Sequence, residues 1–247
     1  NLSGPNTTIS AGQDLTFRSN VINQGVSGNV SLGSGRDLSL NSHAASSMSV
    51  TVGSLNVTAG QDLTTNVASN LGLNAPSGAS FAAARDLRMQ NGSTTLNSVA
   101  GNIALQAGNS LDLSDTGPFQ INALGAVLGT NNTAEFRSGS TINTGAGGLV
   151  VQSAGSLNTT LLALNSSTGH VSAQAGANLT VGNISAPNVN LNANNITLQS
   201  FQNLGGANYT INATQDLREI TPAVTGPNLT SLNITAGSIF GNGNNSS

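Results

Sequence analysis

The sequence predicts an all-β protein that folds as a parallel β-helix, a solenoid of about eleven stacked coils. Three observations lead to this prediction. A short phrase such as VTAGQDLTT, which begins at Val57, recurs at intervals of about 24 residues. Apolar and polar residues alternate on both sides of the phrase, which is the period of a strand with one buried face. Charged residues make up only 6% of the chain, whereas an ordinary globular protein has about 25%.

The apolar residue that follows the variable pair of the phrase marks each copy. The first five markers lie 23, 25, 24 and 24 residues apart, and a period of 20–50 residues is the signature of stacked repeats. The expected markers are Leu15, Leu38, Leu63, Leu87, Leu111, Ile142, Leu157, Leu179, Ile196, Leu217 and Ile239. Residues 1–247 are therefore expected to form a single β-helix repeat domain.

Each copy is predicted to fold as a strand, a tight turn and a second strand. Residues 30–32 read apolar, polar, apolar, and residues 38–40 repeat that order after five intervening residues. The intervening Gly and polar residues are typical of a turn. The remaining length leaves room for a third short strand, for example in residues 47–52 and 68–73. Helices are not expected, because Gly, Asn, Ser and Thr form them poorly.

Stacked coils would bury one another's aliphatic residues at a spacing of about 4.8 Å, with ladders of Asn, Ser and Thr outside. One position of the phrase is occupied by Asp14, Asp37, Asp62, Asp86 and, later, Asp216. Turn chemistry is the preferred explanation, because Asp accepts hydrogen bonds from nearby backbone amides. Arg36 and Arg85 would reduce the repulsion in this column. A bound cation is the alternative, although the G-G-x-G-x-D signature of a calcium β-roll is absent.

Charge and composition argue against several classes of partner. The net charge is −3 and no basic stripe is present, which argues against nucleic acid and against attachment to anionic membranes. No apolar run approaches ~18 residues, so membrane insertion is not expected. The first ten residues lack the basic and apolar regions of a signal peptide. Cys is absent, which excludes a disulfide scaffold.

Catalysis, cofactors and metals are not expected. His43 and His170 lie 127 positions apart and are interpreted as surface residues. Asp112 and Asp115 form a close carboxylate pair outside the Asp column. Such pairs can serve glycoside hydrolysis, but a solvated loop edge is the favoured interpretation. No phosphate-binding loop, zinc spacing or dinucleotide fingerprint is present.

Two interruptions of the repeat are candidates for partner binding, because insertions in solenoids often carry recognition. Irregular insertions are expected near residues 114–141, between the markers Leu111 and Ile142, and near residues 218–231. Plain loops or irregular coils are the alternative. The candidate partner-binding residues are Phe119, Glu135, Arg137, Arg218 and Glu219.

The chain also contains many N-x-S/T triplets, which are possible glycosylation sites. An Asn- and Thr-rich chain produces such triplets by chance as well. The candidate residues are Asn56, Asn91, Asn158, Asn178, Asn195, Asn208, Asn228 and Asn233.

The phrases SAGQDLTF, TAGQDLTT, QAGNSLDL and QAGANLTV resemble the haemagglutinin repeats of filamentous haemagglutinin and related two-partner-secretion exoproteins of Gram-negative bacteria. The resemblance is strongest in residues 1–115 and looser afterwards. It implies a right-handed parallel β-helix that is secreted or displayed on the bacterial cell surface. It also implies a role in adhesion, biofilm formation, virulence or toxin delivery, an outer-membrane transporter as the secretion partner, and glycosylation at N-x-S/T sites in some members.

Members of this family carry N-P-N motifs in a secretion domain, and GPNL at Gly226–Leu229 is only a near match. The chain is therefore expected to be a fragment of a longer exoprotein. Its expected function is that of a structural and adhesive segment that meets a host-cell or bacterial surface receptor or a glycan. Two alternatives stay open: the stalk or receptor-binding segment of a contact-dependent growth-inhibition protein, and a polysaccharide-active β-helix enzyme.

Overall fold

Strands form where apolar and polar residues alternate, because this period turns one side chain in two toward the interior. The computed structural model describes residues 6–23, 27–43, 46–115, 117–199, 208–219 and 230–241. Within these ranges the strands pair in parallel and wind into a β-solenoid of about nine turns, without helices. The predicted all-β parallel solenoid is confirmed.

Within the described ranges, twenty-three strands follow one another. They are β1 (Asn6–Ala11), β2 (Leu15–Arg18), β3 (Val21–Asn23), β4 (Asn29–Ser34), β5 (Leu38–Asn41), β6 (Met48–Thr51), β7 (Ser54–Ala59), β8 (Leu63–Asn74), β9 (Ala79–Ala83), β10 (Asp86–Ala107), β11 (Ser110–Leu113), β12 (Phe119–Thr130), β13 (Thr133–Phe136), β14 (Ser140–Ser153), β15 (Leu157–Asn158), β16 (Leu162–Ser166), β17 (His170–Ala175), β18 (Asn178–Val181), β19 (Asn183–Ser185), β20 (Asn188–Ala193), β21 (Asn195–Leu198), β22 (Asn208–Glu219) and β23 (Ser231–Phe240).

Strands of successive coils stack in register to form three columns. The first column begins with β1, β4 and β7, the second with β2, β5 and β8, and the third with β3, β6 and the later half of β8. A long strand such as β10 bends at the corners and contributes to all three columns. The third short strand expected in residues 47–52 and 68–73 is present as β6 and the later half of β8.

The number of turns is smaller than the predicted eleven coils. Ten successive pairings join eleven segments in the first column, which ends at β23. The third column is described only as far as β19. The described residues form about nine turns.

Four successive marker residues form a buried line through the core, whereas the terminal markers Leu15 and Ile239 are partly buried and exposed, respectively. Leu38, Leu63, Leu87 and Leu111 stand in register in the second column, and each is fully buried. Burying a side chain of this kind contributes roughly 1.5–3 kcal/mol. Because no single coil can exclude water from both sides of its own markers, the coils are stable only as a stack.

The marker expected at Ile142 is wrong. Leu111 pairs with Ala134, and Ala134 pairs with Leu157, whereas Ile142 lies in the third column. The interval from Leu111 to its successor is therefore 23 residues. Ala134 escapes detection because a methyl group gives a weak apolar signal, and the buried Phe136 fills the core beside it.

The segment 114–141 continues the repeat, contrary to the insertion expected there. It contains β12 and β13, which pair in parallel with β10, β11 and β14, with a register shift between Ala123 and Gly125. The irregularity was an effect of the misplaced marker. The second expected insertion, residues 218–231, starts in β22 and reaches β23, but residues 220–229 lie outside the described part of the chain.

Polar ladders line the outside of the third column, as predicted. Asn122 donates to Asn97 at 2.8 Å, Asn143 donates to Asn122 at 2.9 Å, and Asn165 donates to Asn143 at 3.0 Å. Each inner carboxamide thus gives one hydrogen bond and accepts another. This column satisfies its own polar groups along the solenoid axis.

Candidate functional site

Charged residues are confined to two parts of the sequence. Residues 138–215 contain no Asp, Glu, Lys or Arg, so nearly all the charge lies before residue 138. Two surfaces result. The charged edge lies at the turns between the first and second columns and comprises Asp14, Arg36, Asp37, Asp62, Arg85, Asp86, Arg88 and Asp112. The carboxamide face lies on the first column of later coils and comprises Gln152, Gln174, Asn188, Asn190, Asn192 and Asn208.

On the charged edge, Arg36 forms a bidentate ion pair with a carboxylate of the preceding coil. Its Nε donates to Asp14 Oδ1 at 2.7 Å, its Nη2 donates to Asp14 Oδ2, and its Nε lies 3.4 Å from the carboxylate of Asp37. The paired donors of a guanidinium match the two oxygens of a carboxylate. The predicted role of this Arg in offsetting repulsion between Asp residues is confirmed.

Arg85 repeats this arrangement farther along the solenoid. Its Nε donates to Asp62 Oδ1 at 2.7 Å and lies 3.5 Å from Asp86. In both arrangements the side-chain hydrogen bond from Arg is the main cause that holds the pKa of the gripped carboxyl, Asp14 or Asp62, below its usual value. Because the paired groups are largely exposed, such ion pairs contribute little to stability.

Backbone amides provide the second contact of the Asp column. The N–H of Asp37 donates to Asp14 Oδ1, that of Asp62 to Asp37 Oδ1, and that of Asp86 to Asp62 Oδ1, each at 3.3 Å. The turn chemistry predicted for Asp is correct in kind, but each amide belongs to the next coil. The column therefore fastens coil to coil, rather than closing single turns.

The carboxylate pair Asp112 and Asp115 is also engaged between coils. Asp112 is 9% exposed, accepts a hydrogen bond from Arg88 Nε at 3.0 Å, and accepts two more from the backbone and hydroxyl of Ser114. Asp115 accepts a hydrogen bond from Gln90 at 3.3 Å. Both acids thus have neighbouring-coil partners that hold them in place.

Two further properties concern the described residues as a whole. No group of three or more His, Cys, Asp or Glu side chains is arranged there to hold a metal ion. Nor do these residues include a helix of sufficient length and apolarity to span a bilayer.

Phe119 is wrongly predicted as a partner-binding residue. It begins β12, is only 3% exposed, and its ring centroid lies 6.3 Å from that of the buried Phe136. The two rings form an aromatic pair within the core. Glu135 and Arg137 are exposed, and Glu135 stands in register with Asp112 of the preceding coil.

Arg218 lies near the end of the described solenoid. It donates to Asp216 at 3.1 Å, and its guanidinium lies 4.8 Å from the ring centroid of Phe240 in the last strand. This geometry is that of a cation–π contact. Glu219 ends β22 and pairs with Leu198, and its side chain lies outside the described structure.

The two His residues are both exposed, as expected. The backbone N–H of His43 donates to Asn20 Oδ1 at 2.7 Å. His170 begins β17 beside Gly148, whose φ of +72° is in the left-handed region. A Cβ at Gly148 would lie only 2.6 Å from His170 Nδ1. The absence of a side chain at Gly148 therefore allows the imidazole to lie against the backbone of the preceding coil.

The predicted glycosylation sites differ in accessibility. Exposed residues are Asn56, Asn158, Asn178, Asn208 and Asn233; Asn195 is partly exposed, and Asn228 lies outside the described ranges. Asn91 is buried: its amide donates to Thr65 and Thr94, and its oxygen accepts from the N–H of Val67 at 3.0 Å. The folded coil has no room for a glycan at Asn91, where the side chain instead satisfies a buried corner.

The carboxamide face is built by strands β14, β17, β20 and β22 of the first column. Gln152 stands in register with Gln174, and Gln174 with Asn192. A parallel row runs from His170 through Asn188 to Asn208. Two shallow depressions lie along these rows, share Gln174 in their lining and have no charged lining residue. The two adjacent depressions are together called the groove.

Several carboxamides in this groove lack partners of their own. Asn208 donates to Asn188 at 3.0 Å, and Gln174 donates to Ser172 at 3.1 Å. The exposed side chains of Gln152, Asn190 and Asn192 make no hydrogen bond to other described residues. They differ in this from the self-paired Asn ladder of the third column. Their donors and acceptors are available to a ligand.

No sequence motif marks the carboxamide face. Its signals are the long uncharged interval of residues 138–215 and the alternation of Asn with apolar residues in residues 188–192. Comparison of the chain with protein-family models, curated proteins and solved structures finds no match. The fold is therefore supported by its own strand register.

Proposed function

We propose that this chain is a structural and adhesive segment of a secreted bacterial surface exoprotein of the filamentous haemagglutinin type. The observation that carries this proposal is the stack of about nine turns in which the copies of the phrase marked by Leu15, Leu38, Leu63, Leu87 and Leu111 stand in register. A repeat that recurs in register produces one long surface rather than one enclosed site. Such a surface suits attachment.

The mechanism is rigidity. Buried aliphatic columns, backbone pairing and the Asp–amide contacts fix each coil on its neighbours, so outward side chains are held in regular rows before a partner arrives. A pre-ordered surface loses little conformational entropy on binding. Repetition also presents similar weak contacts many times, which raises avidity when a partner has repeated groups of its own.

The proposed setting follows from the same resemblance. The segment would be displayed at the bacterial cell surface or released, after export by an outer-membrane transporter as part of a longer exoprotein. Its partner would be a host-cell or bacterial surface receptor or a glycan, bound without catalysis, nucleic acid or membrane insertion. The absence of Cys is compatible with export of an unfolded chain, because no disulfide can form before passage.

The test is direct binding to cells. Since the chain has no Cys, a single Asn66→Cys substitution at an exposed position of the second column allows attachment of one fluorophore. The labelled chain is titrated onto cultured host cells and onto bacteria, and saturable binding is expected. The matched controls are Leu63→Asp, which should unfold neighbouring coils and abolish binding, and Thr64→Asp, which should leave it unchanged.

Three results would contradict the proposal. Absence of saturable binding to any of these cells would refute an adhesive role. Binding restricted to bacteria that carry one receptor would favour the growth-inhibition stalk. Release of reducing ends from a polysaccharide by the purified chain would favour the polysaccharide-active enzyme.

A further inference from the structure

The electrostatics of the carboxamide face select against charged ligands. The residues that line its groove, from Thr130 to Thr210, include no Asp, Glu, Lys or Arg. A charged ligand would exchange part of its hydration for this groove without meeting an opposite charge, which is unfavourable. A neutral polar ligand does not incur that cost.

The hydrogen-bonding groups of the groove favour a ligand rich in hydroxyl groups. A carboxamide provides two donors and an acceptor, and a hydroxyl group can serve as either. Gln152, Asn190 and Asn192 are exposed and make no side-chain hydrogen bond to other described residues. Gln152 and Asn192 lie in the row of Gln174, and Asn190 lies in the adjacent row. Such groups can therefore match sugar hydroxyl groups in either orientation.

The spacing of the coils suits a linear polymer. Register places equivalent carboxamides of Gln152, Gln174 and Asn192 one above another in successive coils, about 4.8 Å apart. This interval is close to the length of one pyranose ring in an extended chain. Successive sugar units along the solenoid axis would meet similar groups in successive coils.

The imidazole of His170 adds a flat surface to the groove. It lies against the backbone at Gly148, where any side chain would collide with it, and in the same depression as Asn188 and Asn190. The face of a ring held in this way can pack against the C–H groups of a sugar, as flat unsaturated rings do.

We propose that the carboxamide face binds a neutral oligosaccharide laid along the solenoid axis across β14, β17, β20 and β22. This inference rests on the proposed adhesive function and names the ligand class and the surface that receives it. Gln152, Asn190 and Asn192 bind the sugar hydroxyl groups, and His170 supports a ring face. Single contacts are weak, and affinity grows with the number of sugar units because more coils are engaged.

The experiment compares neutral and charged oligosaccharides of equal length. Cellohexaose and mannohexaose serve as neutral probes, and a galacturonate hexamer serves as the anionic probe, in calorimetric titrations of the full chain. At least one neutral hexamer is expected to bind, more tightly than its trimer, and the anionic hexamer is expected to bind at least about tenfold more weakly.

Two Asn→Asp variants locate the site. Asn190→Asp leaves the size of the side chain nearly unchanged and places a negative charge in the middle of the groove. This variant is expected to bind the neutral hexamer about tenfold or more weakly than the parent chain. Asn56→Asp is the matched control, because Asn56 is exposed in the same row of the first column but lies in the charged part of the chain. It should bind the neutral hexamer as the parent does.

A third variant, His170→Ala, is expected to weaken binding of the neutral hexamer. All three variants are expected to keep the unfolding temperature of the parent chain. The inference is overturned if neither neutral hexamer binds, if the anionic hexamer binds as tightly, or if Asn190→Asp and Asn56→Asp have equal effects. Cell binding that persists unchanged in Asn190→Asp would overturn the inference and leave the adhesive function standing. If the parent chain binds none of the cells tested, the adhesive function itself is refuted.

Discussion

The two parts of the solenoid, residues 6–137 and residues 138–215, use one backbone design with different side chains at the turns. In the charged part, the N–H of Asp37 donates to the carboxylate of Asp14 at 3.3 Å. At the end of the uncharged part, the N–H of Asp216 donates to the carboxamide oxygen of Asn195 at the same distance. A charged and a neutral side-chain oxygen thus accept the same hydrogen bond from the next coil at this position.

This difference has consequences for the outer surface. Carboxylates stacked at the spacing of β-strands repel one another, and in the charged part Arg36 and Arg85 are used to offset that repulsion. Carboxamides in the uncharged part need no such partner. Their coils can therefore present donors and acceptors to a ligand, whereas the charged edge already uses its polar groups between coils.

The largest expected effect tests whether the two parts share one kind of core. Leu63→Asp and Leu179→Asp each place a carboxylate at a fully buried marker position, one in each part. Each variant should lose about 4 kcal/mol or more of the free energy of unfolding, because an unpaired charge is buried. Circular dichroism during thermal unfolding measures this loss.

The controls for that prediction are Thr64→Asp and Thr180→Asp, in which the substituted residue follows the marker and points outward. Both should stay near the parent stability. If an outward substitution proves as damaging as the inward one in either part, the inward–outward assignment of that part is wrong.

A somewhat smaller effect is expected where the two parts meet. Phe119→Ala removes one ring of the buried pair with Phe136 and should cost about 3–5 kcal/mol, as truncation of a core Phe commonly does. Glu135→Ala, on the exposed side of the neighbouring strand β13, should change stability by less than about 0.5 kcal/mol. Chemical denaturation of the two variants checks both values. A stable Phe119→Ala variant with impaired cell binding would instead restore Phe119 as a partner-binding residue.

Alkaline pH should lower the stability of the uncharged part, because it ionises a buried Tyr. Tyr209 is buried in β22, and burial raises the pKa of its hydroxyl to about 12. A group with a raised pKa keeps its full contribution to stability below its ordinary pKa of about 10 and loses it as the pH rises through the folded value. Because Tyr209 is the one Tyr and Trp is absent, ultraviolet absorbance follows its ionisation directly. A midpoint near 10 in the folded chain would show that the ring is hydrated.

The sequence predicts the coils well and the outer surface poorly, for physical reasons. Inward residues such as Leu63 and Leu87 recur at a fixed interval because every coil must fill the same interior. Ala134 breaks the pattern because the larger Phe136 supplies the missing volume, and this shift alone turned Phe119 into an apparent surface residue. Outward residues such as Asn190 have no such constraint. Their neighbours are set by register between coils, which local alternation does not reveal.

The smallest expected effect is that low pH reduces the local stability of the charged part and leaves that of the uncharged part unchanged. The pKa values of Asp14 and Asp62 are lowered chiefly by hydrogen bonds from Arg36 and Arg85, so the stability that these carboxylates contribute is present above their ordinary pKa of about 3.9 and is lost as the pH falls through the lower folded value. Hydrogen exchange, corrected for intrinsic rates, should therefore show weaker protection at about pH 3 than at about pH 5 in residues 6–137, with residues 138–215 unchanged because they contain no carboxylate. Asp62→Asn keeps an oxygen for the N–H of Asp86 and removes the titrating charge, so its local protection should depend less on pH than in the parent. Equal acid sensitivity in both parts would mean that the charged edge does not set the response to acid, and that the difference between the parts lies only in what they present to a partner.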